Sequence, residues 1–449
     1  MKDFNRRDFI KNSGKRAVGL WAGALVVANG KRAGSANEKV ILGAIGLGGR
    51  GQSLVKGFAL REDVQFAALC DPNWNRVQPF FEQMKDEHNP NLIKSDDFRQ
   101  VIENKDIDAL VVATPDHWHA LPTILGCQAG KDVYVEKPAS HNIWEGRKMV
   151  EAARKYQRVV QVGTQTRSGA YVRQALDYIQ SGKLGKIHLC KIFNLKSASP
   201  YKESPVSDPP KEINWDLWLG PATKREFRSS IPNSGWLFYW DYCNGDLGND
   251  SIHQIDLARL LIGKEYAKSV YCLGGNLGFQ DDSEVPDTQS AIYDFDDIIV
   301  TYENTQWTPY MAKTDFDFRN SDQYPYWPQN ATRVELYGTE GLMMMGRHGD
   351  GWQVYTGGGQ VVAQGNGPFP EVEHKENFIQ CIRSREKPNA DIEEGHKSAI
   401  LVHMGNISYR TGCRKLFFDA KAERFIDDDD ANRFLKRVYR EPFVIPDEV

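Results

Sequence analysis

Several things are scarce in this chain, and each scarcity removes a class of protein. Its 449 residues contain seven cysteines. Cys70, Cys127, Cys190, Cys243, Cys272, Cys381 and Cys413 are scattered, and none stands in a CxxC or zinc-like spacing. Neither a disulfide framework nor a metal site is expected from them, and they read as small core residues. Charge of one sign is missing too: 56 Lys and Arg against 60 Asp and Glu leave −4. With a pI near 6.2 there is no electrostatic footprint for nucleic acid. The longest apolar run, Ala17–Ala28, falls short of the about 20 residues that a membrane-spanning helix needs. No internal repeat is visible. What is present is ordinary for a soluble globular protein, 41% hydrophobic and 26% charged. The length exceeds what one core sustains, so two domains are expected. The 11 Trp, 18 Tyr and 21 Phe are abundant, and most should fill cores.

The N-terminus carries an address. Asn5-Arg6-Arg7-Asp8-Phe9-Ile10-Lys11 reads as a twin-arginine export signal. Its basic stretch (Arg6, Arg7, Lys11, Lys15, Arg16) precedes the short apolar run, as in a signal peptide, with cleavage expected after Ala36. Residues 1–36 are therefore set aside from the fold. The twin-arginine export machinery carries folded proteins, so the expected location is the periplasm. Folding in a reducing cytoplasm agrees with the cysteine pattern.

Residues 37–162 alternate short β-branched runs with helical stretches, the pattern of a doubly wound parallel sheet. Strands are expected at Val40–Ile45, Val64–Cys70, Asp108–Thr114, Val133–Glu136 and Val159–Val162. Between the first strand and a helix lies Gly46-Leu47-Gly48-Gly49-Arg50-Gly51, a G-x-G-x-x-G turn. Such glycines let backbone approach a pyrophosphate, whose charge then sits on the helix N-terminus. Asp71, at the end of the second strand, can accept hydrogen bonds from a ribose hydroxyl and would repel a 2′-phosphate. NAD is thus favoured over NADP, although Arg76 is close enough to blur the preference. A cofactor acquired in the cytoplasm must stay bound through export.

Two further segments sit at strand C-terminal ends, where ligands bind in such sheets. They are Thr114-Pro115-Asp116-His117-Trp118-His119 and Tyr134-Val135-Glu136-Lys137-Pro138. A lysine facing the cofactor there can hold a sugar hydroxyl and lower its pKa during hydride removal. Taken in order with the glycine turn, these segments resemble the glucose–fructose oxidoreductase/inositol dehydrogenase/rhizopine catabolism (Gfo/Idh/MocA) family. Gly163–Arg167, Gly182–Ile187, Trp215–Pro221 and Gly245–Asp256 extend the resemblance over roughly residues 39–420.

The resemblance implies a lysine–histidine pair around the reacting carbinol, here Lys137 and His253. The family's aspartate position is Asn249, which cannot ionise, with Asp250 adjacent. Asn249 and His253 are four apart and should share a helical face, and Asp256 could orient the imidazole. The resemblance also implies cofactor contacts from Thr114, Pro115, His119, Glu136 and Gln165, and substrate contacts from Trp118, Arg167 and Trp236. A cis bond before Pro138 is implied as well.

Residues 163–449 change texture to aromatic, β-rich runs and imply a large, mostly antiparallel open sheet on helices, in an α/β protein whose N-terminal half is a Rossmann domain. Helices are expected at Tyr171–Ser181, His253–Ile262 and Glu393–Arg410. Gly349–Gly359 and Gly365–Gly367 read as hairpin turns, and Asp427–Asp430 as a solvated run or a helix cap. The family implies a homo-oligomer. The functional expectation is an exported NAD(P)-dependent oxidoreductase acting on a secondary hydroxyl of a sugar or glycoside. Two alternatives are a redox-neutral glycosidase, as in glycoside hydrolase family 109, and a non-catalytic sugar-binding relative.

Overall fold

The computed structural model describes residues 39–449 apart from 86–88, 90, 315–318 and 320. The export signal read at residues 1–36 lies outside the described residues. Six strands, β1 (Val40–Ile45), β2 (Val64–Cys70), β3 (Ile93–Ser95), β4 (Ala109–Val112), β5 (Asp132–Val135) and β6 (Val160–Val162), form one parallel sheet. Its order is β3-β2-β1-β4-β5-β6. The central strands are buried on both faces, which explains their near-continuous aliphatic sequence. The order reverses between β1 and β4, so a crevice opens beyond their C-terminal ends.

The second sheet has ten strands. In chain order they are β7 (Ile187–Leu195), β8 (Ser269–Gly275), β9 (Thr288–Asp294), β10 (Ile299–Thr305) and β11 (Arg333–Gly338). Then come β12 (Leu342–Gly346), β13 (Trp352–Tyr355), β14 (Val361–Gly365), β15 (Leu416–Asp419) and β16 (Arg424–Phe425). The order is β14-β13-β12-β11-β7-β10-β9-β8-β15-β16, antiparallel except where β7 meets β10. One face buries Cys190, Ile192, Val300, Tyr302 and Leu336 against the helices Ile252–Ile262 and Ile392–Arg410. Alternation leaves Tyr271, Leu273, Ile292 and Ile299 exposed on the other. The glycines 357–359 make the β13–β14 turn, Gly358 and Gly359 with positive φ. Asp428 caps the short helix Asp429–Asn432.

Two late segments return to the first sheet across the boundary drawn at 162/163. The helix Glu371–Ser384 buries Phe378 and Ile379 among Leu42, Phe58 and Tyr134. Near the C-terminus, Phe443 and Ile445 pack with Trp118 and Val135. An amphipathic pattern states that an apolar face exists; which sheet receives it is a tertiary matter.

Candidate functional site

The site grows from the first turn of the parallel sheet. Gly46 has φ of 90°, and its N–H donates to the Cys70 carbonyl at 2.8 Å. A Cβ on Gly51 would lie 2.0 Å from the Gly46 oxygen, so the turn closes only with glycine there. Gly48 and Gly49 differ: a Cβ on Gly48 would meet only an Arg76 nitrogen, at 3.7 Å, and one on Gly49 nothing within 4 Å. Packing does not demand these two glycines, whereas a backbone-hugging ligand would. No side chain caps the following helix, Gly49–Ala59, and its first turn has no acidic residue. Its N–H groups therefore face the crevice, ready for an anion.

Asp71 accepts from the N–H of Leu47 at 2.8 Å and of Asn73 at 2.9 Å. Burial pushes its carboxyl above the usual range, opposed by Arg76, whose guanidinium stands 3.7 Å away. Arg50 donates to Glu136 at 2.8 Å and lies 3.1 Å from Glu371 on the returning helix. Burial disfavours the charged form of Glu136, but Arg50 and Lys137 outweigh it and hold the carboxyl below its ordinary value.

These groups line one cavity of about 550 Å³, with Thr114, Pro115, Asp116, Lys137 and Gln165. Its other wall comes from the second domain: Trp236, Asn249, His253, Arg319, Arg347, His348 and Phe369. Lys137 precedes a cis bond to Pro138. Its Nζ donates to the Asn249 backbone carbonyl and lies 3.3 Å from Asn249 Oδ1. Burial pulls the Lys137 ammonium below its ordinary value, against Glu136 and Asp116. His253 is 6% exposed. Its Nδ1 has no hydrogen-bond partner among the described residues. Burial, then Arg347 and Lys137, hold the imidazole well below its usual pKa, so it is neutral. A neutral imidazole and a desolvated lysine in one cavity can pass a proton between them and a bound hydroxyl.

Several sequence expectations meet a different geometry. Asn249 and His253 do not share one helix: Gly245–Asn249 ends before Ile252–Ile262 begins, yet both residues reach the cavity. Asp250 is no spare base. It pairs with Arg347 and Lys313, with Lys196 at 3.5 Å. Burial opposes its charge, but Arg347, Lys196 and Lys313 hold its carboxyl well below the usual range. Asp256 does not touch the His253 ring; it accepts from Arg167 at 2.8 Å and from Ser398 at 2.6 Å. Arg167 is thereby locked in a buried ion pair away from the cavity.

His119 is fully buried, its Nδ1 2.7 Å from the Pro138 carbonyl and its Nε2 3.0 Å from that of Thr114. It ties the two strand-end segments together from behind. Trp118 donates to the Trp218 carbonyl at 2.9 Å and packs on Phe98 and Phe443. Asp116, inside the Thr114–His119 motif, also lines the cavity. Arg347, His348, Phe369 and Glu371 had no motif to reveal them.

Buried neutral histidines also set an acid limit on stability. Burial lowers His117 to about 3, His374 to about 4 and His403 to about 3. Unfolded histidine binds protons below about 6.5. The unfolded state therefore takes up more protons as pH falls from about 6.5 towards 4, and stability falls with it. Urea melts at pH 7 and pH 5 should differ by several kcal/mol, roughly 1.4 kcal/mol per histidine per pH unit within that window. Equal midpoints at the two pH values would contradict this.

Comparison with known proteins agrees with the architecture. A family model described as "Oxidoreductase family, NAD-binding Rossmann fold" matches residues 40–164. A second, "Oxidoreductase family, C-terminal alpha/beta domain", matches 179–311 and 346–445. The chain is similar to an uncharacterized oxidoreductase, YrbE, of Bacillus subtilis (strain 168), 27% identical over 304 residues, covering 68% of this chain and 73% of that protein. A glycosyl hydrolase family 109 protein of Solibacter usitatus (strain Ellin6076) is 34% identical over 167 residues, only 35% of this chain and 38% of that relative. Among solved structures, the WlbA dehydrogenase from Bordetella pertussis, in complex with NADH and UDP-GlcNAcA, aligns with a TM-score of 0.62 at 20% identity. The match covers 85% of this chain and 99% of that one, so the fold is shared.

Proposed function

The chain belongs to the Gfo/Idh/MocA oxidoreductase family, and from that premise we propose an exported, NAD-dependent enzyme that moves hydride to and from a secondary hydroxyl of a sugar or glycoside. One observation carries the reading. A single cavity joins the glycine turn and Asp71 at one end to Lys137, Asn249 and His253 at the other. The residues fit a dinucleotide, because Gly48 and Gly49 leave space that nothing in the protein fills. The uncapped helix would hold the pyrophosphate, and Asp71 the ribose hydroxyls. The bound nicotinamide supplies the hydride acceptor and donor.

The protein's own work is positioning and proton transfer. Lys137, steadied by Asn249, draws the proton from the substrate hydroxyl. Since the Asn249 amide cannot take a proton, neutral His253, which lines the same cavity, holds it. The Trp236 ring at the mouth offers an apolar face to a sugar ring. Cofactor retention is supported on the ribose side. The loop after β2 is strapped by the second domain through Trp74 N–H to Glu212 O at 2.8 Å and Asn214 N–H to Pro72 O at 2.8 Å. Arg76 adds a bond to the Pro232 carbonyl. The exposed apolar residues on the open face of the second sheet support a homo-oligomer. Export would place the enzyme in the periplasm, where free NAD is scarce, so a retained cofactor must be recycled in place.

Gly48→Val should test the cradle. A Cβ here meets only an Arg76 nitrogen, at 3.7 Å, on extended backbone that valine tolerates, so stability should stay within about 1 kcal/mol of the parent. Nicotinamide released from the denatured variant should nonetheless fall at least about tenfold, because the side chain occupies the pyrophosphate's place. Full cofactor content would show that the turn is not the cradle.

The reading itself is tested by identifying the nucleotide freed on denaturation and then following absorbance near 340 nm as sugars are added to intact protein. No nucleotide, and no response to added NAD or NADP, would remove it. A second reading has one observation in its favour, the similarity to a family 109 glycosyl hydrolase. There hydride would be lent and returned within a cycle of oxidation, elimination, hydration and reduction. Repeated nitrophenol release from a nitrophenyl glycoside, with no NAD or acceptor added, would favour that reading; acceptor-dependent turnover favours the first.

A further inference from the structure

The ribose end of the cavity meets a part of the second domain that has a core of its own. The chain leaves the second sheet after β7 and returns to its core at the helix Gly245–Asn249. In between, Tyr201, Trp218, Leu219, Ile231, Tyr239 and Tyr242 form a hydrophobic cluster distinct from the three larger ones. Trp215 stacks on Trp218 at 4.8 Å, and Tyr201 on Phe238 at 4.3 Å. Rings packed in this way hold the segment together as one body. It faces the nucleotide end from two sides. Leu217 and Trp218 share a small cavity with Asp71, Thr114 and Pro115. Ser234, Trp236 and Leu237 share the main cavity with Asp71 and Arg76.

The same body is gripped by Arg440. Its Nε donates to the Gly220 carbonyl at 2.9 Å, and one terminal nitrogen to the Asp216 carbonyl at 2.6 Å. The other terminal nitrogen pairs with the Asp216 carboxylate at 2.6 Å, and the Arg440 N–H reaches the Pro221 carbonyl at 3.3 Å. Arg440 stands in a segment fixed to the first domain. Phe443 packs edge-on against Trp118 at 5.3 Å, and Arg437 donates to the His117 carbonyl at 2.8 Å. The Asp216 side chain is 64% exposed, so the carboxylate pair is worth little. The charged bonds to backbone carbonyls, made by a guanidinium only 19% exposed, carry the grip.

Resting on the oxidoreductase reading, we infer that Arg440 is a latch: it holds this aromatic body closed over the Asp71 end of the site and sets how fast the dinucleotide enters and leaves. Arg440 lines neither cavity. Its loss therefore weakens closure equally with the nucleotide present or absent, and an equal effect on both states leaves the binding equilibrium where it was. Entry and release quicken together, as for any gate. A residue that touched the nucleotide would act mainly on release.

The test uses the intact protein, stripped of nucleotide on charcoal and reloaded with NAD labelled in its adenine. Uptake is timed during reloading, and release by filtration after a chase with excess unlabelled NAD. Arg440→Met should speed both by about tenfold to a hundredfold, the scale of charge-assisted hydrogen bonds. Their ratio, the dissociation constant, should stay within about threefold of the parent. Arg440→Lys keeps the charge and the stem but not the fork that spans two carbonyls. It should quicken exchange less, and it keeps the test alive should Arg440→Met not fold.

Exchange at the parental rate in both variants would overturn the latch. So would faster release with unchanged uptake, which would make Arg440 a prop of the bound state alone. In either case labelled NAD still binds, and the hydride-transfer reading stands. A protein that carries no nucleotide and takes up neither NAD nor NADP would overturn both.

Discussion

Replacing Lys137 with methionine should lower sugar-dependent reduction of the bound cofactor by about 10²–10⁴-fold, the range for losing a positioned acid–base group. Methionine keeps the length and apolar stem of a buried lysine, so the cavity stays filled. What disappears is the group on Asn249 that can take the hydroxyl proton. Because burial draws Lys137 below its ordinary value, the neutral amine is present at lower pH than in free lysine. The wild-type rate should therefore rise with pH on a limb lying below the usual lysine range, and that limb should vanish in the variant. Nucleotide content after denaturation should match the parent. Turnover within about threefold of the parent would remove Lys137 from the chemistry, given the size of effect expected.

The second large effect concerns stability. Asp250→Leu should destabilise the fold by about 3–5 kcal/mol, since removing one side of a buried ion cluster strands the other. Arg347, Lys313 and Lys196 would be left around an apolar side chain. Adding Lys313→Met to Asp250→Leu should recover part of the loss, as coupling within a network predicts. The sign with pH follows from the depressed carboxyl. Its contribution is complete above the unfolded aspartate value of about 3.9 and fades as pH falls through the folded one. Denaturant melts of the single and double variants check this. A loss under about 1 kcal/mol would mean that the cluster is solvated like a surface pair.

The same residue shows how far a linear reading reaches. Adjacency to Asn249 sets Asp250 beside the expected reacting centre in the linear order. Its three partners come from positions 196, 313 and 347, and no local pattern announces them. Arg167 has a similar history. The family resemblance implies a substrate contact for it, but Asp256 captures it from 89 residues away. Trp118 and His119 follow a strand end as expected, yet ring direction is set by the Trp218 and Pro138 carbonyls. By contrast Gly46, Asp71, Glu136 and Lys137 were legible because each sits at or beside the C-terminal end of a parallel strand, where chain position and spatial position coincide.

Sequence alone determined the parallel sheet, its nucleotide turn and the mostly antiparallel second sheet, because aliphatic runs, strand alternation and glycine-dependent turns are local consequences of residue type. Tertiary structure alone decided that the helix Glu371–Ser384 brings Glu371 to the cavity beside the glycine turn, that Asp250 is locked among cations, and that Arg347 lines the same cavity as Lys137 and His253. Those outcomes depend on which distant side chains burial brings together, and on the charge each must then offset.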